Sequence, residues 1–505
     1  MEEETKSLRD IRLDKLARLR ERGIDPYPVG STRSHVIRDV TSAFDELEGQ
    51  EVAVVGRVTA LRAHGKASFA DVADVSGKIQ LYFKSDLLGE RYDLFDLLDL
   101  GDFLGAAGKV FKTRTGEISV AVERFDVLAK GLRTPPVVKT EKTTGAEVVH
   151  DEFADPEKRY RQRYLDMMVN ESARACVLTH AKVLSAARRY MNEKGFVEVE
   201  TPILQPLYGG ANARPFTTYH RDLGTDLYLR IADELYLKRL LVAGLEKIYE
   251  IGKDFRNESI DRTHYPEFTM LEAYEAFGDY RTMMALTQGL IIAGTEEIRG
   301  ALKLTYQGRE LDLAPPWKEI PMAGTLNQRM KELGVDDVLS CDEKNLEAIL
   351  RRDEFGELWP KVEGRWSRAR ALDVLFDALV VGELWEPTFV VDFPAELSPL
   401  AKRQRDDPAL AERFELYICN LEIANAFSEQ NDPREQRRAF EAQAKARAAG
   451  DEEAQQIDED FLEALEYGMP PAGGLGLGVD RVAMILADAP NIREVIAFPQ
   501  LRTKK

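Results

Sequence analysis

Residues 247–275, KIYEIGKDFRNESIDRTHYPEFTMLEAYE, decide the fold. A strand from Ile248 to Asn257 alternates its side chains, with Glu250, Gly252, Asp254, Arg256 and Glu258 on one face and Tyr249, Ile251, Lys253 and Phe255 on the other. After the turn-rich SIDRTHYP, the run Glu267 to Tyr274 repeats the period: Phe268, Met270, Glu272 and Tyr274 lie together, opposite Glu267, Thr269, Leu271 and Ala273. Antiparallel pairing of the two runs brings an arginine, an aromatic ring and several carboxylates onto one sheet surface. Two arrangements accommodate such charges: solvated cross-strand pairs on an exposed ribbon, or a site where they are neutralised, because an unpaired buried charge is costly.

Outward from this stretch, 505 residues exceed what one core organises, so two or more domains are expected. Hydrophobic content of 44% with 31% charged residues is ordinary for a soluble globular chain. The start, MEEETK, is acidic, and no apolar run approaches about 18 residues, so a cytoplasmic location and no membrane partner are expected. Cys176, Cys341 and Cys419 lie far apart without a CxxC partner, which disfavours structural zinc and a disulfide framework. The net charge of −19 argues against broad nucleic-acid binding and leaves any such partner to local basic patches; DNA is not expected.

Residues 1–50 read as a helical extension. Within it, residues 6 to 24 form an amphipathic helix with Leu8, Ile11, Leu16 and Leu19 near one stripe and Lys6, Arg9, Arg12, Lys15, Arg18 and Arg22 recurring at three- and four-residue spacing. Five β-rich runs within 51–135 suit a small Greek-key barrel of the oligonucleotide-binding (OB) type, with Phe69 and Gln80 on adjacent strands and Arg62 nearby. Phe69 there is either a stacking ring for single-stranded bases or barrel core. Residues 136–170 read as a linker. The remainder, 171–505, opens with a helix from Ser172 to Lys194 and a strand in GFVEVETPIL, and carries a helical insertion near 282–385.

Residues 411–431 form a second apparent hairpin, with Glu415 on its first strand and Glu422, Asn425, Phe427 and Glu429 on its second. Glu422 has the opposite parity, so a bulge or turn near Ala424 is needed for all of them to converge. Carboxylates without His or Cys neighbours are hard oxygen ligands of the kind Mg²⁺ takes. The GGLGLGVDR run supplies glycines from 473 to 478, then a helix near Val479 with Arg481 in its first turn. It lacks the spacing of a dinucleotide-binding fingerprint, and the chain has no GKS or GKT signature.

FRNES followed by HYPEFTMLEAY resembles motif 2 of the class II aminoacyl-tRNA synthetases in the version of the lysyl, aspartyl and asparaginyl enzymes. The helix, strand and Pro202 of 172–204 resemble motif 1, the family's dimer-forming segment, and GGLGLGVDR resembles motif 3. The implied fold is multidomain α+β: an N-terminal OB-fold β-barrel that holds the tRNA anticodon through Arg62, Phe69, Gln80 and Glu117, and a catalytic domain built on an antiparallel sheet flanked by helices. The resemblance implies amino-acid activation by ATP and transfer to tRNA. Arg256 and Arg481 are then catalytic, and Arg256, Glu258, His264, Phe268 and Arg481 bind ATP, adenine stacking between Phe268 and Arg481. Glu415 and Glu422 hold Mg²⁺. Departures from the pattern occur at Thr263, Tyr265, Cys419, Asn420 and Leu421, in the loop over ATP and at the tip of the metal hairpin.

Within the class, YGGANARPF with RIADELYLKRL is most like the lysyl enzymes of bacterial type. An ammonium-tipped substrate needs an excess of carboxylates and a hydroxyl, which Glu272, Tyr274 and Glu429 supply. Gly210, Glu234, Asn425 and Phe427 complete the implied amino-acid pocket. The expected partners are L-lysine, ATP, tRNA(Lys) and a second copy of the chain. An aspartyl or asparaginyl enzyme, a lysine-transferring paralogue acting on a protein, and a non-catalytic RNA-binding relative are the alternatives.

Overall fold

The computed structural model describes residues 7–136, 138–143, 146–151, 153–362, 366–448 and 454–502. They form two compact units, 1–155 and 156–505.

In the first unit the strands Glu51–His64, Ala67–Ala73, Lys78–Lys84, Phe103–Lys112 and Ile118–Ala129 close into a barrel in the order first, second, third, fifth, fourth. Only the third–fifth pairing is parallel, as a Greek-key closure requires. Alternate residues such as Val52, Val54, Leu81, Phe83, Val120 and Val122 fill the interior. Gly108 lets two strands approach closely, since a Cβ there would lie 1.9 Å from the Ala121 carbonyl oxygen.

The helix Leu8–Glu21 differs from its predicted face. Leu16 and Leu19 are buried, but Leu8 and Ile11 are exposed, and Arg12 is buried in their place. Its guanidinium donates to the carbonyls of Gly131 (2.7 Å), Arg133 (3.0 Å) and Leu100 (3.0 Å). Lys15 reaches Asp99 at 2.9 Å. Two of the recurring basic residues are thus internal ties, because loop carbonyls without ladder partners need donors.

The second unit is built on an eight-stranded sheet in the order Lys318–Pro321, Thr388–Pro394, Leu410–Ile418, Leu421–Ser428, Ala472–Gly478, Glu267–Ala276, Lys247–Phe255, Val197–Glu198. The two edge pairings are parallel and the rest antiparallel. One face buries Tyr249, Leu271, Ala273, Leu475 and Leu477 against the helices Glu171–Glu193, Tyr280–Arg299 and Val479–Leu486. The other face carries the polar positions and is covered in part by the helix Glu234–Val242, through Leu235, Leu237 and Leu241.

Three expectations need correction. The 136–170 stretch is not a plain linker: strands Val138–Thr143 and Ala146–Asp151 pair, and helices Pro156–Arg161 and Arg163–Val169 follow the unit boundary. There the charges of Arg159 and Arg163 are satisfied by Asp166 and Glu494. The expected strand in GFVEVETPIL shrinks to Val197–Glu198 and Leu204–Gln205, with Pro202 between them lacking a donor for the ladder. The helical insertion starts later than 282. The helix Tyr280–Arg299 belongs to the main core, a ribbon of Lys303–Tyr306 and Arg309–Asp312 follows, and the separate helical cluster is formed by Met322–Met330, Glu343–Leu350 and Arg368–Leu379. Among the described residues no helix is long and apolar enough to cross a membrane.

Candidate active site

Cross-strand register pairs Ile248 with Tyr274, Glu250 with Glu272, Gly252 with Met270 and Asp254 with Phe268, so the two faces form as the alternation predicts. The solvated-ribbon arrangement is excluded, because Glu250, Asp254 and Glu272 are only 4%, 1% and 6% exposed. Arg230, from the loop before Glu234–Val242, partly neutralises them. Its guanidinium lies 2.6 Å from Glu250, 3.0 Å from Asp233 and 3.2 Å from Asp254. Thr201 donates its backbone N–H and its hydroxyl to the other Glu250 oxygen, at 3.0 and 2.8 Å. Gly252 makes room for this, since a Cβ there would lie 1.8 Å from Arg230 Nη2.

One guanidinium does not balance this cluster. Oxygens of Asp233, Asp254 and Glu272 lie within 4.8 Å of one another, and Asp233 hydrogen-bonds Asp254. Burial, then repulsion by the neighbouring carboxylates, pushes Asp233 up to about 11 and Glu272 up to about 8. Arg230 and Asp233 escaped the sequence reading although they flank Glu234 in RIADELYLKRL; the only available signal was the density of charge in an otherwise apolar helix start.

Beside this cluster the side chains of Glu234, Tyr274 and Glu429 come together, all of them buried. Glu234 is the first residue of its helix, and Tyr274 donates its hydroxyl to Glu272 at 3.2 Å. Glu429 follows the end of the strand Leu421–Ser428 and is fully buried. Gly210, at φ +87°, packs against Glu234: a Cβ there would lie 3.1 Å from the Glu234 Cβ. The glycine run is not a turn. Ala472–Gly478 is a strand in the middle of the sheet, and a Cβ at Gly474 would fall 1.8 Å from Glu429 Oε1 and 2.7 Å from Tyr274 Cε1. The missing side chain at Gly474 makes room for Glu429 and Tyr274. A residue the sequence reading did not single out, Lys238, reaches in from below: its Nζ lies 2.5 Å from Glu234 Oε1, contacts Glu429, and stands 5.5 Å from the Phe427 ring.

The hairpin of Leu410–Ile418 and Leu421–Ser428 contains the bulge that parity demands. Leu416 pairs with Ala424 and Tyr417 with Glu422, so Ile423 is the extra residue and Glu422 swings toward the face of Glu415 and Asn425. Cys419 and Asn420, at φ 54° and 62°, supply the two left-handed positions of a tight hairpin turn. Glu415 is buried and accepts from Arg413 Nη2 (2.5 Å), the Tyr417 hydroxyl (2.7 Å) and Asn425 Nδ2 (3.5 Å). Burial, reinforced by Glu422 and Asp373 and opposed by Arg413, pushes Glu415 up to about 8. Arg413 also donates to Asn425 Oδ1 at 3.1 Å, and no sequence signal distinguished it from a surface arginine.

Next to the hairpin a cavity of about 250 Å³ is lined by Arg256, Glu258, His264, Phe268, Glu422, Asn425 and Arg481, among others. Arg481 donates to the Glu422 carbonyl at 2.6 Å and lies 3.5 Å from its carboxylate. Its neighbour Asp480 accepts the Thr269 N–H at 2.7 Å, tying the helix of Arg481 to the strand of Phe268. Phe268 is faced here by Arg256, 5.0 Å from the ring centroid, rather than by Arg481. His264 is exposed, with Nδ1 2.8 Å from Asp261, and Tyr265 is buried, its hydroxyl accepting the Gln500 N–H at 2.5 Å.

On the barrel, Phe69 pairs across with Arg62 on one side and Tyr82 on the other. It is half-buried on the outer face, 5.0 Å from the Tyr82 ring, so it is not barrel core. Asp71 holds Arg62 through two bonds of 2.7 and 3.1 Å, Gln80 accepts from Ser119 at 3.0 Å, and Glu117 is exposed and close enough to act on Arg62. Tyr82 and Asp71 are the members of this face that sequence reading missed.

Residues 155–502 match the family of tRNA synthetases class II (D, K and N), and residues 52–128 match the OB-fold nucleic acid binding domain. The chain belongs to the class II tRNA synthetases. Over 497 residues the synthetase is 49% identical to a protein of Moorella thermoacetica named "Lysine--tRNA ligase", with 98% of each chain covered. Over 506 residues it is 48% identical to a protein of Chloroflexus aurantiacus with the same name, with 99% of each covered. The synthetase is therefore an aminoacyl-tRNA ligase with an OB-fold barrel and a class II catalytic sheet, as the motif resemblance implied.

Proposed function

We propose that this ligase joins L-lysine to tRNA(Lys) through a lysyl-adenylate made from ATP. The observation that carries the reading is the excess of buried carboxylates around the pocket, with Glu234, Glu272 and Glu429 against Lys238 alone. An acidic side chain would find repulsion there and an amide would leave the negative charge unneutralised, whereas an ammonium finds acceptors and the Tyr274 hydroxyl.

The α-carboxylate of lysine attacks the α-phosphorus of ATP and pyrophosphate leaves; the adenylate is then passed to the tRNA terminal hydroxyl. Such chemistry depends on placement and charge neutralisation more than on a protonating side chain. Arg256 meets the substrate carboxylate and α-phosphate, moving off the Phe268 ring to free it for adenine. Arg481 takes the opposite side of the base, Glu258 accepts from its amino group, and His264 contacts phosphate. Asn425 supports the substrate carboxylate, and Glu234 accepts from the α-ammonium beside Gly210.

The donor set Glu415 and Glu422 fits Mg²⁺: both are carboxylates, and the bulge at Ile423 turns Glu422 to the face of Glu415. Glu415 and Glu422 would hold the ion, and the chemistry it would supply there is charge neutralisation of the ATP phosphates. Exposed apolar residues Leu178, Val197, Ile203 and Leu204 along motif 1 support a homodimer. Arg62, Phe69, Gln80 and Glu117 read the anticodon, with Tyr82 extending the stacking surface. The enzyme acts in the cytoplasm.

Amino-acid-dependent ATP–pyrophosphate exchange with all standard amino acids tests the reading. Exchange is expected with lysine, and Glu429→Gln is expected to lower it roughly 100-fold or more, since a buried charge partner is lost. Exchange with aspartate or asparagine instead would reassign the specificity, and none at all from folded protein would overturn the enzyme reading.

A further inference from the structure

Lys238 is 0% exposed in its side chain and sits one helical turn after Glu234. Its ammonium bridges Glu234 and Glu429, two carboxylates brought together from distant segments of the catalytic unit. A buried ammonium is expensive to desolvate, and a helix of this amphipathic pattern would place an apolar residue at that position without loss of packing. Phe427 lies beside it, so the ammonium is not reaching for solvent. The two carboxylates it joins are those assigned to the α-ammonium and to the side-chain ammonium of the substrate, and this inference rests on that assignment.

We propose that Lys238 is a positioning residue that sets the charge of the amino-acid pocket. Glu234, Glu272 and Glu429 together carry three negative charges when ionised. Lys238 offsets charge on Glu234 and Glu429, the two of them that it bridges. Arg230, with Glu250, Asp233 and Asp254, forms the adjoining cluster and does not contact Glu234 or Glu429 among the described residues. Without Lys238 the Glu234 and Glu429 carboxylates face each other with no cation between them, one of the two retains a proton in the complex, and a protonated carboxyl accepts an uncharged side chain nearly as well as an ammonium. Lys238 thus acts on selectivity through Glu234 and Glu429 without touching substrate.

The test is exchange with lysine and with norleucine, which lacks only the terminal amino group, on wild type, Lys238→Met, Lys238→Arg and the double variant Lys238→Met with Glu234→Gln. In folded Lys238→Met the lysine-over-norleucine ratio of kcat/KM falls at least tenfold, the KM for ATP stays within about twofold, and Lys238→Arg restores much of the ratio. The double variant removes one charge of each sign, so its ratio stays within about threefold of wild type even as the α-ammonium contact weakens. If Lys238→Met does not fold, the double variant carries the test alone. An unchanged ratio in folded Lys238→Met, a KM for ATP rising in step with that for lysine, or a tenfold collapse in the double variant overturns the proposal. Absence of lysine-dependent exchange in wild type overturns the functional reading instead, so the two failures are distinguishable.

Discussion

Gly474 shows how one missing side chain shapes the site. A methyl group there would occupy the place of Glu429 Oε1 and crowd Tyr274, while the strand around it stays paired on both sides. Gly474→Ala is therefore expected to fold and to lower kcat/KM for lysine roughly 10- to 100-fold, with the KM for ATP little changed; pyrophosphate exchange at varied substrate checks it. Glu272 carries a pH dependence. Burial raises its folded-state value to about 8, so the stability it contributes is fully present below its ordinary value near 4.5 and is lost as pH rises through 8. Lysine draws the group toward its ionised form. The thermal shift produced by saturating lysine should therefore grow between pH 6 and 8.5, and a shift that shrinks over this window would contradict the assignment.

At the level of elements, the metal hairpin joins two local rules. Its turn needs two left-handed residues, which Cys419 and Asn420 provide without glycine, and its bulge at Ile423 aligns Glu422 with Glu415. Asn420 also donates from Nδ2 to the Val381 carbonyl at 2.8 Å, docking the turn against the helical insertion. Asn420→Ala loses both the left-handed preference and this bond, and is expected to cost about 1–2 kcal/mol, read as a lowered urea midpoint of the catalytic unit. The bulge was legible from sequence because Glu422 and Asn425 stand three residues apart, an odd step that a regular strand cannot reconcile. The glycine strand was not legible, because six residues rich in glycine look like a loop until neighbours on both sides supply the ladder.

At the scale of the molecule, all residues assigned to adenylate formation lie in 156–505, and the stacking face of Arg62, Phe69 and Tyr82 lies in 1–155. Each unit has its own hydrophobic core. A chain reduced to 156–505 is expected to keep lysine-dependent pyrophosphate exchange within roughly threefold and to lose about 100-fold in tRNA charging, because only the second step needs the anticodon grip. Equal loss of both activities would place part of the activation site on the barrel unit.

The sequence by itself determined the pairing of the two strands in 247–275, the face each of their residues occupies, the five barrel strands and the need for a bulge between Glu422 and Asn425. Those properties follow from a two-residue period and from local turn chemistry, which act over a few residues and leave their mark in order. Only the tertiary structure decided that the polar face is buried rather than wet, since alternation states which way a side chain points and not what covers it. It also supplied the partners: Arg230 and Lys238 for the carboxylates of the sheet, Arg413 for Glu415 and Asn425, Asp71 for Arg62, and Arg12 for the carbonyls near the barrel. Each of those cations or anions is an ordinary charged residue in the chain. What singles it out is the cost of an unneutralised charge at a place that exists only after distant segments have met.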